Sequence, residues 1–163
     1  MSGLPDKAAV RAALREALAA ALDAMSRSAE EARLGAVHEE ARQEGAKDMR
    51  ATEQSYVARG QAMRAEALAE ELERFERSEA RAFGPDDPIA AGALVRVEVD
   101  EAPRVLFVGP WGGGTELRVD GAEVTVISPS SPLGRALLGK RVGDDLELRL
   151  HGAVREIVVD ALA

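Results

Sequence analysis

The feature that most constrains this chain is a stretch of about eighty residues containing almost nothing that stops a helix. After Pro5 no proline occurs until Pro85, and Pro5 stands at a helix start, where a missing N–H costs little. The residues between are mostly Ala, Leu, Glu, Arg, Gln and Met, the types best suited to helices. Val10, Leu14, Leu18, Leu22, Met25 and Ala29 recur three or four apart, one stripe on one face. Tyr56, Met63, Ala67, Leu68, Leu72 and Phe75 are read as a second stripe. Between them the apolar signal thins, with Gly45 as a stop and Thr52 as a possible N-cap. Two antiparallel helices meeting along these stripes remove both from water. A first arm over about residues 6–45 would be roughly 60 Å long at about 1.5 Å per residue. A single long helix that dimerises would bury the same stripes, and the sequence leaves that alternative open.

Composition agrees with an extended helical element. Apolar residues make up 46% of the 163, but aromatics only 3%, so a thick aromatic core is not expected. The formal charge is −8. A chain that gripped free nucleic acid by itself would normally be basic. With no cysteine, disulfides, Cys-ligated zinc and thiol nucleophiles are excluded. The N-terminus has neither the pattern of a signal peptide nor that of a membrane span, so a cytoplasmic protein with no membrane partner is expected.

Gly84-Pro85-Asp86-Asp87-Pro88 breaks the helical pattern, since two prolines and a glycine cannot continue it. The period then changes to two. Strands are expected over 94–99, 104–108, 115–119, 124–127, 146–150 and 157–159, separated by turns such as Gly112-Gly113-Gly114 and Asp120-Gly121. Pro132 to Gly139 reads as one short helix, with proline in its first turn and glycine past its end. The expected organisation is therefore α+β. Residues 1–83 form a helical hairpin with its tip near 44–55, and residues 84–163 form a small, mainly β domain. Both parts are acidic, yet within 42–64 five bases (Arg42, Lys47, Arg50, Arg59, Arg64) meet three acids (Glu44, Asp48, Glu53).

Residues 126–144, Val-Ile-Ser-Pro-Ser-Ser-Pro-Leu-Gly-Arg-Ala-Leu-Leu-Gly-Lys-Arg-Val-Gly-Asp, resemble the long signature of the Gre family of bacterial transcript-cleavage and elongation factors. His38-Glu39-Glu40-Ala41-Arg42 and Tyr56-Val57-Ala58-Arg59 resemble, more patchily, the flanks of that family's hairpin tip. The resemblance implies an antiparallel coiled-coil hairpin followed by an FKBP-like antiparallel β domain with one short helix. It further implies docking of the β domain on the secondary-channel rim of bacterial RNA polymerase, through Ser130, Ser131, Pro132 and Leu133. The hairpin would then reach the nascent RNA 3′ end, where two tip carboxylates share a Mg²⁺ with the polymerase and stimulate its cleavage of backtracked RNA. Such a factor is a monomer and not an enzyme in its own right. It holds no metal when alone.

The tip departs from the family pattern. Where the family reads Gly-Asp-x-x-Glu-Asn-x-x-Tyr, this chain has three more residues between Gly45 and Tyr56. Asp48 and Glu53 are the candidate acidic pair and Mg²⁺ ligands, but they are five apart. On a continuous helix five residues turn through about 140° off one face. Glu44 with Asp48, four apart, is a weaker pairing, and Asp48 could equally cap the second helix. Arg42, Lys47, Arg50 and Arg59 are candidates for guiding RNA phosphates, or a solvated face. Tyr56 and Met63 are expected in the hairpin core. Two functional readings follow: a cleavage-stimulating factor, or a Gre-fold modulator or inhibitor that occupies the same channel without cleavage. A peptidyl-prolyl isomerase, suggested only by the FKBP-like fold, lacks the aromatic-lined pocket such chemistry needs; Phe107 and Trp111 are the only aromatics after residue 84.

Overall fold

The computed structural model describes residues 3–42 and 49–163. Helix α1 spans Lys7–Arg42 and α2 spans Met49–Arg77. The 36 residues of α1 give about 54 Å of helix. Asp6 caps α1, its carboxylate accepting from the N–H of Ala9 at 3.1 Å. Thr52 lies a turn inside α2 and so is not its N-cap; Gly45 lies outside the described residues.

The chain forms two compact units, Met1–Arg15 with Ser78–Ala163, and Glu16–Arg77. The boundary read at 83/84 from the helix-breaking run thus differs from the division by packing: the first turns of α1 belong to the β unit. Val10 and Leu14 are fully buried there. The backbone N–H of Asp6 donates to the Asp120 carboxylate at 3.2 Å, and Arg11 donates to the Ser78 carbonyl at 3.0 Å. Lys7 Nζ donates to the carbonyls of Arg81 and Ala163. Its ammonium also lies 4.6 Å from the centre of the Phe83 ring, while the Arg81 guanidinium lies 4.5 Å from the same ring. Burial, with Arg11 and Arg81 nearby, lowers the Lys7 pKa to about 8.

Six strands make one sheet: β1 Leu94–Val99, β2 Ala102–Val108, β3 Glu116–Val119, β4 Ala122–Ile127, β5 Asp145–Leu150 and β6 Ala153–Leu162, in the order β3-β4-β2-β1-β6-β5. A short helix α3, Pro132–Leu137, follows β4. Three hairpins close through two-residue turns, Asp100-Glu101, Asp120-Gly121 and His151-Gly152. Positive φ at both turn positions matches the right-handed twist of the strands. The antiparallel arrangement holds for β1–β2, β1–β6, β3–β4 and β5–β6, but β2 and β4 run parallel. The sheet is therefore mixed. The glycine-rich segment and β3 supply the crossover that a parallel neighbour requires.

One face of the sheet carries Val95, Val97, Leu106, Val108, Ile157 and Val159, covered by Leu137 of α3 and by Phe83, Ile89 and Ala93. Main-chain bonds join Ile89 to the end of α3: Ile89 N–H to the Lys140 carbonyl and Gly139 N–H to the Ile89 carbonyl, both 2.8 Å. The linker after the helical segment is thereby part of the core wall.

In the helical unit the α1 stripe is as expected. Leu18 is buried, Leu22, Met25 and Ala29 are half-buried, and the stripe continues through Ala32 to buried Ala36. On α2 the inward residues are Ala58, Gln61, Ala65, Leu68, Leu72 and Phe75. Their alternating three- and four-residue steps match those of Leu18–Ala36, the spacing of a coiled-coil seam. The expectation that Tyr56 and Met63 belong to this core is corrected. They are 66% and 64% exposed, and Ala67 is exposed beside them. Each lies two positions from a seam residue, about 200° around the helix. Small Ala58 and Ala65 occupy the inward positions instead.

Candidate functional site

The best-defined candidate surface surrounds α3. Strand β4 ends at Ile127 and hands the chain to Ser128, whose carbonyl accepts from Ser131 N–H at 3.1 Å and from Ser131 Oγ at 2.7 Å. Ser131 Oγ in turn accepts from Gly134 N–H at 3.0 Å, making Ser131 the N-cap, with Pro132 in the first turn. Ser130 N–H donates to Ser128 Oγ at 3.2 Å, and the two hydroxyls lie 2.7 Å apart. Gly134 is essential to this closure, since a Cβ there would come 2.0 Å from the Ser128 carbonyl oxygen. At the other end Leu138 N–H donates to the Gly134 carbonyl at 3.0 Å, and Gly139 takes the positive φ that ends the helix.

The four residues read from the sequence as a docking set divide into two pairs. Ser130 and Pro132 face outward, while Ser131 is turned into its cap and Leu133 is half-buried against the core. Two residues the sequence reading missed join the outward pair: Leu138, 37% exposed, and Val142, 36% exposed. Only the phase of Leu137 and Leu138 could have signalled this, because one must enter the core and the other cannot. Leu137 is fully buried. Arg135 is exposed on the same helix, and Arg141 is held by its N–H to Asp144 at 2.8 Å and its Nε to the Asp86 carbonyl at 3.0 Å. The result is a firmly tied loop that exposes Ser130, Pro132, Arg135, Leu138 and Val142. Such preorganisation lowers the entropy cost of docking a protein surface.

The second candidate is the far end of the helical unit. Glu53 and Arg59 are exposed on α2. Arg42 is the last residue of α1 and Arg50 the second of α2. Glu44, Lys47 and Asp48 lie outside the described residues. Glu53 sits within regular helix and supplies one carboxylate. Among the described residues no group of three His, Cys, Asp or Glu side chains is placed to hold a metal. A hard cation takes six or more oxygen ligands, so Glu53, even with Asp48, can contribute only part of a Mg²⁺ shell. No helix of the described residues is long and apolar enough to cross a membrane.

Residues 84–161 match the family model for the C-terminal domain of the transcription elongation factors GreA and GreB. Transcription elongation factor GreA of Nautilia profundicola is 36% identical over 69 residues, which are 42% of this chain and 38% of that protein's length. Among solved structures, GreA factor homolog 1 of Thermus thermophilus is 27% identical, with 91% of this chain and 94% of that one covered and a TM-score of 0.38. A GreA/GreB factor of Nitrosomonas europaea is 22% identical, covering 58% and 77%, also with a TM-score of 0.38.

Proposed function

Because residues 84–161 match the family model for the C-terminal domain of the GreA/GreB transcription elongation factors, we propose that the chain is a factor of that family and binds bacterial RNA polymerase at the rim of the secondary channel. In this reading the outward residues Ser130, Pro132, Leu138 and Val142 make the rim contact, with Ser131 and Leu133 holding them in place. The hairpin enters the channel and brings its distal end to the RNA 3′ end of a backtracked complex. The observation that carries the reading is the family's C-terminal domain joined in one chain to a helical hairpin.

The chemistry is phosphodiester hydrolysis performed by the polymerase. Asp48 and Glu53 would help hold a Mg²⁺ shared with the polymerase, and that ion would supply charge stabilisation for the hydrolysis. The chain's contribution is one or two carboxylates, Asp48 and Glu53, which complete an oxygen shell built mainly by the polymerase. Arg42, Lys47, Arg50 and Arg59 offset the phosphate charge of the extruded RNA. The factor thus acts without a complete active site of its own.

The test is a stalled elongation complex with labelled RNA, incubated with the purified chain and Mg²⁺. Shortened RNA is expected, and Asp48→Asn should remove cleavage while leaving polymerase binding intact. Undiminished cleavage by that variant would take Asp48 out of the role. A second reading is favoured by a specific observation: Glu53 lies inside helix α2, five residues beyond Asp48 and four residues further from Gly45 than a family-like tip allows. In that reading the chain occupies the channel as a modulator or inhibitor, and the same assay yields polymerase binding and reduced RNA synthesis with no cleavage product.

A further inference from the structure

The two helices of the Glu16–Arg77 unit enclose, along one side, an open groove of about 520 Å³ that neither helix fills. Its floor is apolar, made by Ala29, Ala36, Ala58 and Ala65, with Val37 at one end left 49% exposed. Its rim is charged in an ordered way. On α1 the rim residues are Glu30 and Arg33; on α2 they are Arg59 and Glu66. On each helix the arginine lies nearer the segment connecting the helices and the glutamate lies further from it. Both arginines therefore lie on the side of the connecting segment and both glutamates on the other, with Glu30 and Arg33 paired across that division.

That segregation specifies an occupant. A twofold axis across the groove sets the arginine side of one copy on the glutamate side of the next, while an in-register copy would oppose like charges. Isologous contacts of this kind require a patch that is complementary to itself. We propose that a second copy of this chain docks antiparallel in the groove, joining two helical hairpins into a four-helix contact with Arg33 and Arg59 of each copy against Glu30 and Glu66 of the other. Alanine floors let the helix pairs approach closely, and Val37 enters the apolar strip between them. Glu30 and Arg33 already pair within one copy at 2.7 Å, with both side chains more than half exposed. An exposed pair of that kind contributes little, so exchanging it for contacts between copies costs little. The groove spans residues 26–37 and 55–66, about three helical turns on each arm. The monomer expected from the sequence is the dilute form.

This inference does not rest on the proposed function, although it bears on it, since the docked copy covers the hairpin that would enter the polymerase. The test therefore uses the full chain without polymerase. Sedimentation velocity from low to several hundred micromolar should show a monomer–dimer equilibrium that weakens as salt is raised. Arg33→Glu with Arg59→Glu makes the rim wholly acidic, and Glu30→Arg with Glu66→Arg makes it wholly basic. Each double variant alone should dimerise at least about tenfold more weakly, and an equimolar mixture should restore association as a heterodimer. A wild-type chain that stays monomeric throughout would overturn the proposal. So would double variants that self-associate as well as wild type, or a mixture that fails to pair. The salt dependence of the wild type decides the matter independently should a variant fail to fold.

Discussion

Gly134→Ala is the sharpest single perturbation of the candidate docking loop. The new Cβ would lie 2.0 Å from the Ser128 carbonyl oxygen, 2.9 Å from its carbonyl carbon and 3.0 Å from Ser131 Oγ. An ordinary carbon–oxygen contact needs roughly 3.3 Å, so α3 and the Ser128–Ser131 turn must separate by more than about 1 Å. Both neighbours are firm, one main chain and the other a capping hydroxyl. Forced overpacking costs about 1–3 kcal/mol, and losing the Ser131 cap adds about 1 kcal/mol. The expected loss is about 2–4 kcal/mol, a fall in Tm of roughly 10–25 °C for a unit of this size. Denaturant unfolding of the full chain, followed by Trp111 fluorescence, reads the β unit. Ser131→Ala supplies the cap contribution alone, about 1 kcal/mol. Gly60→Ala is the positive control: a Cβ there meets nothing within 4 Å, and the change should stabilise the helix by about 0.5–1 kcal/mol. A Gly134→Ala protein within about 0.5 kcal/mol of wild type would refute the closure argument.

Other perturbations test other parts of the account. Phe75, 3% exposed in the seam, should lose about 3–5 kcal/mol on truncation to alanine, whereas Met63→Ala should stay within about 0.5 kcal/mol; equal losses in thermal unfolding would contradict the α2 phase. Glu101, at φ 67, is a non-glycine residue in the left-handed region, and Glu101→Gly should raise stability by about 1 kcal/mol in denaturant titrations. For Lys7 the folded pKa lies below the ordinary lysine value, at about 8, so the unfolded chain binds more protons between about pH 8 and 10.5. Stability relative to Lys7→Met should therefore rise across that window and be flat below it; a parallel pH profile for the two proteins would refute the burial argument. Asp100 has its carboxyl held below the usual range by Arg155 and by the Glu156 N–H, so the stability it contributes should fall away as pH drops through the acidic range. The difference between wild type and Asp100→Asn in acid unfolding checks that direction.

Much of this architecture was legible because local chemistry and tertiary structure agree. The Gly84–Pro88 run lies between the helical segment, whose α2 ends seven residues earlier at Arg77, and the strands that the two-residue periods mark, and Pro132 and Gly139 bracket α3. The α1 stripe was equally plain, since its large residues are the ones that pack. The α2 stripe misled for a physical reason. Residue size pointed to Tyr56 and Met63, but the seam at that level uses Ala58 and Ala65, and nothing local distinguishes an inward alanine from an outward one. The parallel pairing of β2 with β4 was equally hidden, because alternation fixes which face a residue takes but not which strand lies beside it. The attachment of the first turns of α1 to the β unit depends on contacts far apart in sequence, such as Arg11 with Ser78, 67 residues away, and Lys7 with Ala163, 156 residues away. At the candidate docking loop the Ser131 cap and Pro132 were readable, whereas the exposure of Leu138 and Val142 depends on how α3 is rotated on the sheet.

The central claim, that the hairpin carries its distal end into the polymerase while the α3 loop holds the rim, is tested most directly by site-specific photocrosslinking. A photoreactive amino acid at position 53, and separately at position 138, is placed in the full chain and irradiated with a stalled elongation complex carrying labelled RNA. The account predicts that position 53 crosslinks to the RNA 3′ end or to the polymerase active centre, and position 138 only to the polymerase exterior. Crosslinks from position 53 confined to the outer surface, or none from either position above background, would contradict it.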